Sequence, residues 1–161
     1  MLKKFNLLFI TFFNIGKIKF ASGTFASLAT CILFLIIFKF VSIKYLLFFT
    51  VLIFSYSLVA INKSYGIFKS DDPHEIVIDE VVGQMLVLIA IPIYETLYPT
   101  HIYYYCIISF FLFRLFDIWK PFPINYIDNN VKGALGIMLD DIFASFYAIA
   151  LLSLILFFLG G

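Results

Sequence analysis

The sequence predicts an all-α integral membrane protein, a bundle of four to five transmembrane helices with an N-terminal interfacial helix. Of its 161 residues, 63% are hydrophobic and 13% charged, and the mean hydropathy is +1.07, far outside the range of a soluble domain of this size. Apolar segments recur along the chain without the alternation of barrel strands, so in lipid they must be helices that satisfy their own backbone groups. The charged residues gather in the connections between those segments. A net charge of +1 and the lack of any Lys/Arg run exclude a nucleic-acid partner. The length fits one domain over residues 1–161.

Met1 to Phe20 holds an apolar run of about ten residues between Lys3, Lys4, Lys17 and Lys19, too short for the roughly 20 that a span needs. No small-residue cleavage pattern follows it, and the stretch predicts an amphipathic helix lying on the membrane surface. Five apolar segments come next: Phe25 to Phe40, Ile43 to Ile61, Val81 to Tyr94, Ile102 to Phe116 and Ile142 to Leu159. The shorter ones need little tilt, polar flanks or thinned lipid to cross. Pro92, near the end of the third, predicts an end or a kink there. Cys31 and Cys106 fall within apolar runs and read as small buried hydrophobes, without metal-ligand spacing.

If all five segments cross, Gly23, Asn62 to Glu80 and Arg114 to Asp141 emerge on one face, opposite Lys39 to Lys44 and Glu95 to His101. Nine of the ten acidic residues then share a face, and the basic residues divide nine to two the same way. The positive-inside rule makes that face cytoplasmic.

Chemistry is expected on this face, in the polar, turn-rich stretch from Phe113 to Asp141. Asp79 and Glu80 stand at the head of the third segment, Asp117 at the foot of the fourth, and Asp140 and Asp141 at the head of the fifth. Taken singly, each acid fits a role in capping free N–H groups at a helix start. Five carboxylates gathered beside lipid are costly without a cation. An oxygen-rich set of this kind suits Mg²⁺, which favours a few carboxylates together with waters and substrate phosphate. Asp79, Glu80, Asp140 and Asp141 are therefore the candidate metal ligands. Arg114, Asp117 and Lys120 are spaced three apart, so a continuing helix would put them on one face until Pro121. Asp117 is a candidate base or further ligand, and Arg114 and Lys120 are candidates to neutralise phosphoryl charge. Trp119, Phe122 and Tyr126 read as interfacial anchors. Gly133 and Gly136 read as turn residues or as points of close approach to a headgroup. Asp71 and Asp72 read as a turn before Pro73, and His74 as a solvated loop histidine.

Four blocks carry a resemblance: GTFASL at Gly23 to Leu28, HEIVIDEVVGQ at His74 to Gln84, FRLFDIWKPFPI at Phe113 to Ile124, and D-x-x-V-x-G-x-x-G-I-M-x-D-D from Asp128 to Asp141. Together, in order and in register, they resemble bacterial phosphatidylglycerophosphatase A over most of the chain from residue 23 onward. Ser22 and Ala26 depart from the Pro and Gly that the family often has around its Gly-Thr pair, which bears on the role of the Thr24 loop; Thr24 is the catalytic candidate of that block. The resemblance implies a Mg²⁺-dependent phosphatase of the bacterial inner membrane. It implies removal of the terminal phosphate of phosphatidylglycerophosphate to leave phosphatidylglycerol in phospholipid synthesis. The D-x-D-x-[TV] motif of aspartate-nucleophile phosphatases and the paired histidines of acid phosphatases are both missing, which favours metal-activated water as the nucleophile. A phosphatidyltransferase would also offer Asp-rich helix ends, but its D-x-x-D-G-x-x-A-R signature is missing. A divalent-cation transporter would carry its acids near mid-membrane rather than at helix ends on one face.

Overall fold

The computed structural model describes residues 2–64, 73–97 and 101–159. Among these residues there are seven α-helices, one 3-10 turn and no strand. In order they are α1 (Leu2–Ile10), the 3-10 turn (Ile15–Lys17), α2 (Ser22–Ile37), α3 (Ile43–Ser64), α4 (Ile78–Leu97), α5 (Ile102–Trp119), α6 (Ile124–Asn130) and α7 (Ala134–Leu159). By length and composition α3, α4, α5 and α7 can each cross a membrane, whereas α2, at 16 residues, is apolar but shorter. The expected Asp71–Asp72 turn lies outside the described residues.

Helix α4 is the centre of the bundle. Half of its most apolar stretch is buried, against about a third or less for the other three long helices, and it packs on α2, α3, α5 and α7. Gly83 makes that central position possible. A methyl group there would come within 2.6 Å of the Phe113 ring on α5 and 3.0 Å of the Asp141 carbonyl on α7, so only glycine lets both neighbours close on α4. Ala144 and Ala148 on α7, both fully buried, extend the same close packing.

Four boundaries differ from the sequence expectation. The last helix begins at Ala134 rather than Ile142, so Asp140 and Asp141 sit about two turns inside α7 and not at its head. Gly133, at φ 78°, supplies the left-handed residue before this helix, and Gly136 lies against the Val131 carbonyl; both serve chain packing. Gly23 and Thr24 belong to the first turn of α2 and not to a loop. Helix α4 continues five residues beyond Pro92 to Leu97, because a proline costs only one backbone bond where surrounding helices hold the segment. Finally, α5 stops at Trp119, and Lys120 takes a left-handed conformation (φ 46°) whose N–H still bonds the Phe116 carbonyl at 2.9 Å. Lys120 therefore leaves the face shared by Arg114 and Asp117.

The N-terminal helix is tied down on the bundle. Phe9 meets Tyr56 of α3 edge-on at 4.9 Å, and the Tyr56 hydroxyl donates to Asn6 Oδ1 at 2.8 Å. The Val77 N–H donates to the Ile10 carbonyl at 3.0 Å, and Ser22 Oγ donates to the His74 carbonyl at 2.8 Å. These two bonds fix the segment that leads into Asp79 and Glu80.

Candidate active site

The first turn of α4 carries Asp79 and Glu80, and the buried face of α7 carries Asp141. One carboxylate oxygen from each lies within 4.8 Å of the others. Asp79 Oδ1, Glu80 Oε2 and Asp141 Oδ2 are each buried without a hydrogen-bond partner. Three like charges with unpartnered buried oxygens repel one another and lack the hydration they would have in water. This donor set fits a hard cation that takes carboxylate oxygens, and the trio can hold one.

Arg114, in the last turns of α5, is the counter-charge. Its Nη1 lies 2.5 Å from Asp117 Oδ2 and 3.8 Å from Glu80 Oε1, with all three side chains more than four-fifths buried. Its Nε has no partner and is free to donate. The start of α2 closes this side, since a methyl on Gly23 would overlap Glu80 Oε1 and come within 3.1 Å of Arg114 Nη1. Thr24 follows, half-buried in the same turn.

Asp140 has a different set of contacts. Its Oδ2 accepts from Lys120 Nζ at 2.7 Å and its Oδ1 accepts the Asp141 N–H at 3.0 Å. Lys120 also donates to Asp128 Oδ1 at 2.6 Å. The sequence thus brings Asp79, Glu80 and Asp141 together with Arg114 and Asp117, while Asp140 and Lys120 form a second cluster joined to the first through the Asp140–Asp141 backbone. Burial works against the Lys120 charge, yet the bonds to Asp128 and Asp140 outweigh it and raise the ammonium pKa above its ordinary value. Lys120 is a permanent cation.

Sequence reasoning missed a polar layer under the site. Gln84 is fully buried with neither amide atom hydrogen-bonded, and Ser27 is fully buried with its hydroxyl unpartnered. Gln84 stands one turn beyond Glu80 on α4, and Ser27 one turn beyond Gly23 on α2. Both helices start at the site and run the same way, so the two residues lie at one depth, about 6 Å further in. Their only signal was membership of the HEIVIDEVVGQ and GTFASL blocks. Asp128 was visible too, as the acid that opens the last block.

The phosphatidylglycerophosphatase A family matches residues 8–156. The chain is 39% identical over 137 residues to the phosphatidylglycerophosphatase A of Haemophilus influenzae, covering 85% of this chain and 80% of that protein. It is 38% identical over 89 residues to the Escherichia coli phosphatidylglycerophosphatase A, covering 55% and 45%. A putative phosphatidylinositol-3-phosphatase of Bacteroides thetaiotaomicron is 32% identical over 159 residues, covering 93% and 92%. No solved structure matches.

Proposed function

The chain belongs to the phosphatidylglycerophosphatase A family, a family of phosphoric monoester hydrolases, and from that premise we propose that it hydrolyses phosphatidylglycerophosphate to phosphatidylglycerol and phosphate. The reaction is Mg²⁺-dependent and serves phospholipid synthesis at the bacterial inner membrane. The nine-to-two division of basic residues supports a site that faces the cytoplasm. One observation carries the reading: three carboxylates, each with a buried oxygen that has no partner, bring an oxygen apiece within 4.8 Å of one another beside an arginine whose Nε is free.

Asp79, Glu80 and Asp141 would hold the Mg²⁺, with Asp140, bonded to Lys120, beside them rather than among the ligands. When bound, the ion would draw charge from the phosphoryl oxygens and favour attack by water. Arg114 orients the phosphate through its free Nε, and Asp117 keeps the guanidinium in place or accepts a proton. Lys120, fixed between Asp128 and Asp140, supplies a second positive charge to the phosphoryl group. Thr24 contributes a hydroxyl at the start of α2, where a helix N-terminus favours an anion. The acyl chains remain in the leaflet while the phosphate reaches this rim.

A second reading follows from the Bacteroides relative, whose name assigns it a phosphoinositide. Both candidate substrates are phosphatidyl lipids and differ only in headgroup. Purified protein assayed for phosphate release from each, with and without Mg²⁺, separates the readings. Release from phosphatidylglycerophosphate alone, lost on chelation, supports the first. Release from phosphatidylinositol 3-phosphate alone replaces it with the second.

A further inference from the structure

Among the described residues, an apolar groove of about 320 Å³ runs between α2 and α5. Leu28, Cys31 and Ile32 line one wall, and Cys106, Ile107 and Phe110 the other. Cys31 and Cys106 are buried and form its floor, while Ile32 and Ile107 are more than half exposed at its rim. The groove begins at the site. Leu28 is one helical turn beyond Thr24, and Phe110 is one turn before Arg114. Because α2 starts and α5 ends on the face that carries the carboxylates, the groove leads from Arg114 inward along both helices.

Two other grooves do not share this path. One, lined by Tyr94, Leu97 and Phe157, lies at the far ends of α4 and α7. Another, lined by Phe12, Phe13, Ala29 and Leu33, lies between α2 and the turn after α1 and meets the first only at Ile32.

We propose that the groove between α2 and α5 receives an acyl chain of the lipid substrate and so sets the depth at which the phosphate meets Arg114. This rests on the phospholipid-phosphatase reading above. Within a bilayer an apolar groove gains little affinity from burying a chain, since bulk lipid is equally apolar. What it supplies is position, because a chain seated beside Arg114 fixes the approach of the headgroup to the carboxylates. The occupant is the diacyl part common to both candidate substrates, which makes the groove indifferent to the headgroup.

The test narrows the groove at its exposed rim, where a larger side chain leaves the buried packing intact. Ile107→Trp is compared with Leu47→Trp, on the exposed side of α3, in detergent micelles. The substrates are phosphatidylglycerophosphate with hexadecanoyl chains and with butanoyl chains. The groove variant should lower kcat for the long-chain substrate about tenfold or more with kcat for the short-chain substrate unchanged, and Leu47→Trp should change neither. An unchanged long-chain kcat, or equal loss on both substrates, overturns the groove. Retention of dihexadecanoyl phosphatidic acid, followed by native mass spectrometry, gives a second measurement independent of turnover. The unaltered chain should keep one lipid that Ile107→Trp loses, and equal retention overturns the proposal. If the unaltered chain hydrolyses neither substrate, the phosphatase reading fails, and the retention result judges the groove by itself.

Discussion

Gly23 separates the geometry of the site from the stability of the fold. A methyl there meets the end of the flexible Glu80 side chain, so Gly23→Ala should move a carboxylate and not a helix. Its thermal midpoint in detergent should stay at the wild-type value while kcat falls about tenfold or more; a wild-type kcat would show that Glu80 tolerates displacement. Asp79→Asn and Asp141→Asn should each abolish phosphate release with the protein still inserted and folded, and full activity in either would remove it from the ion-holding set. Lys120→Ala should cost roughly 10²-fold in kcat, and exposed Lys132→Ala far less; equal, few-fold losses would make Lys120 a surface charge. The pH dependence follows from the same contacts. A lysine whose folded pKa is raised keeps its pairing below the unfolded value of about 10.4 and loses it only as pH climbs through the raised one. Lys120 should therefore contribute no alkaline limb to the rate profile below about pH 10. The identities of these residues were legible because acids and bases in an apolar chain stand out one by one. The partition of Asp140 from Asp141 was not, since adjacent residues on a helix point about 100° apart and only the neighbouring elements decide which contacts each makes.

At the scale of the element, α7 carries two acids well inside a helix that is otherwise apolar. A single sequence marks a polar pair such as Asp140–Asp141 as a boundary, because periodicity cannot know that Lys120, Arg114 and α4 will cover it. The start of α7 was thus read eight residues late, whereas α4, whose acids do lie in its first turn, was read closely. The buried layer one turn below offers a test at this scale. Gln84→Leu keeps the volume and removes an amide with no partner, a change that alone should stabilise the bundle. If Gln84 orients Glu80 and Arg114, turnover should fall about tenfold while the thermal midpoint holds or rises. Full turnover in a more stable variant would reduce Gln84 to a space-filling residue.

For the molecule as a whole, charge asymmetry carried most of the reading, because lipid penalises every misplaced charge and leaves few arrangements open. A reporter fused after Asn129 should behave as cytoplasmic, and one near Thr100, outside the described residues, as external; a cytoplasmic signal at both would undo the shared face. The long apolar helices were legible for the same reason, while α6, within the stretch read as turns, and the docking of α1 through Tyr56 and Ile10 were not, since both depend on contacts between distant segments. The late position of Asp141 in the chain has one more consequence, for biosynthesis. Asp79 and Glu80 leave the ribosome on α4 and Arg114 on α5, but roughly 40 residues, about 2–8 s of elongation, separate Lys120 from the end of α7. During that interval a growing chain holds acids in the membrane beside a wall that has not yet been made. Synthesis of α7 is then the step that brings Asp141 to Asp79 and Glu80 and closes the bundle over them, so a chain stalled before Ala134 holds those two acids without the helix that covers them.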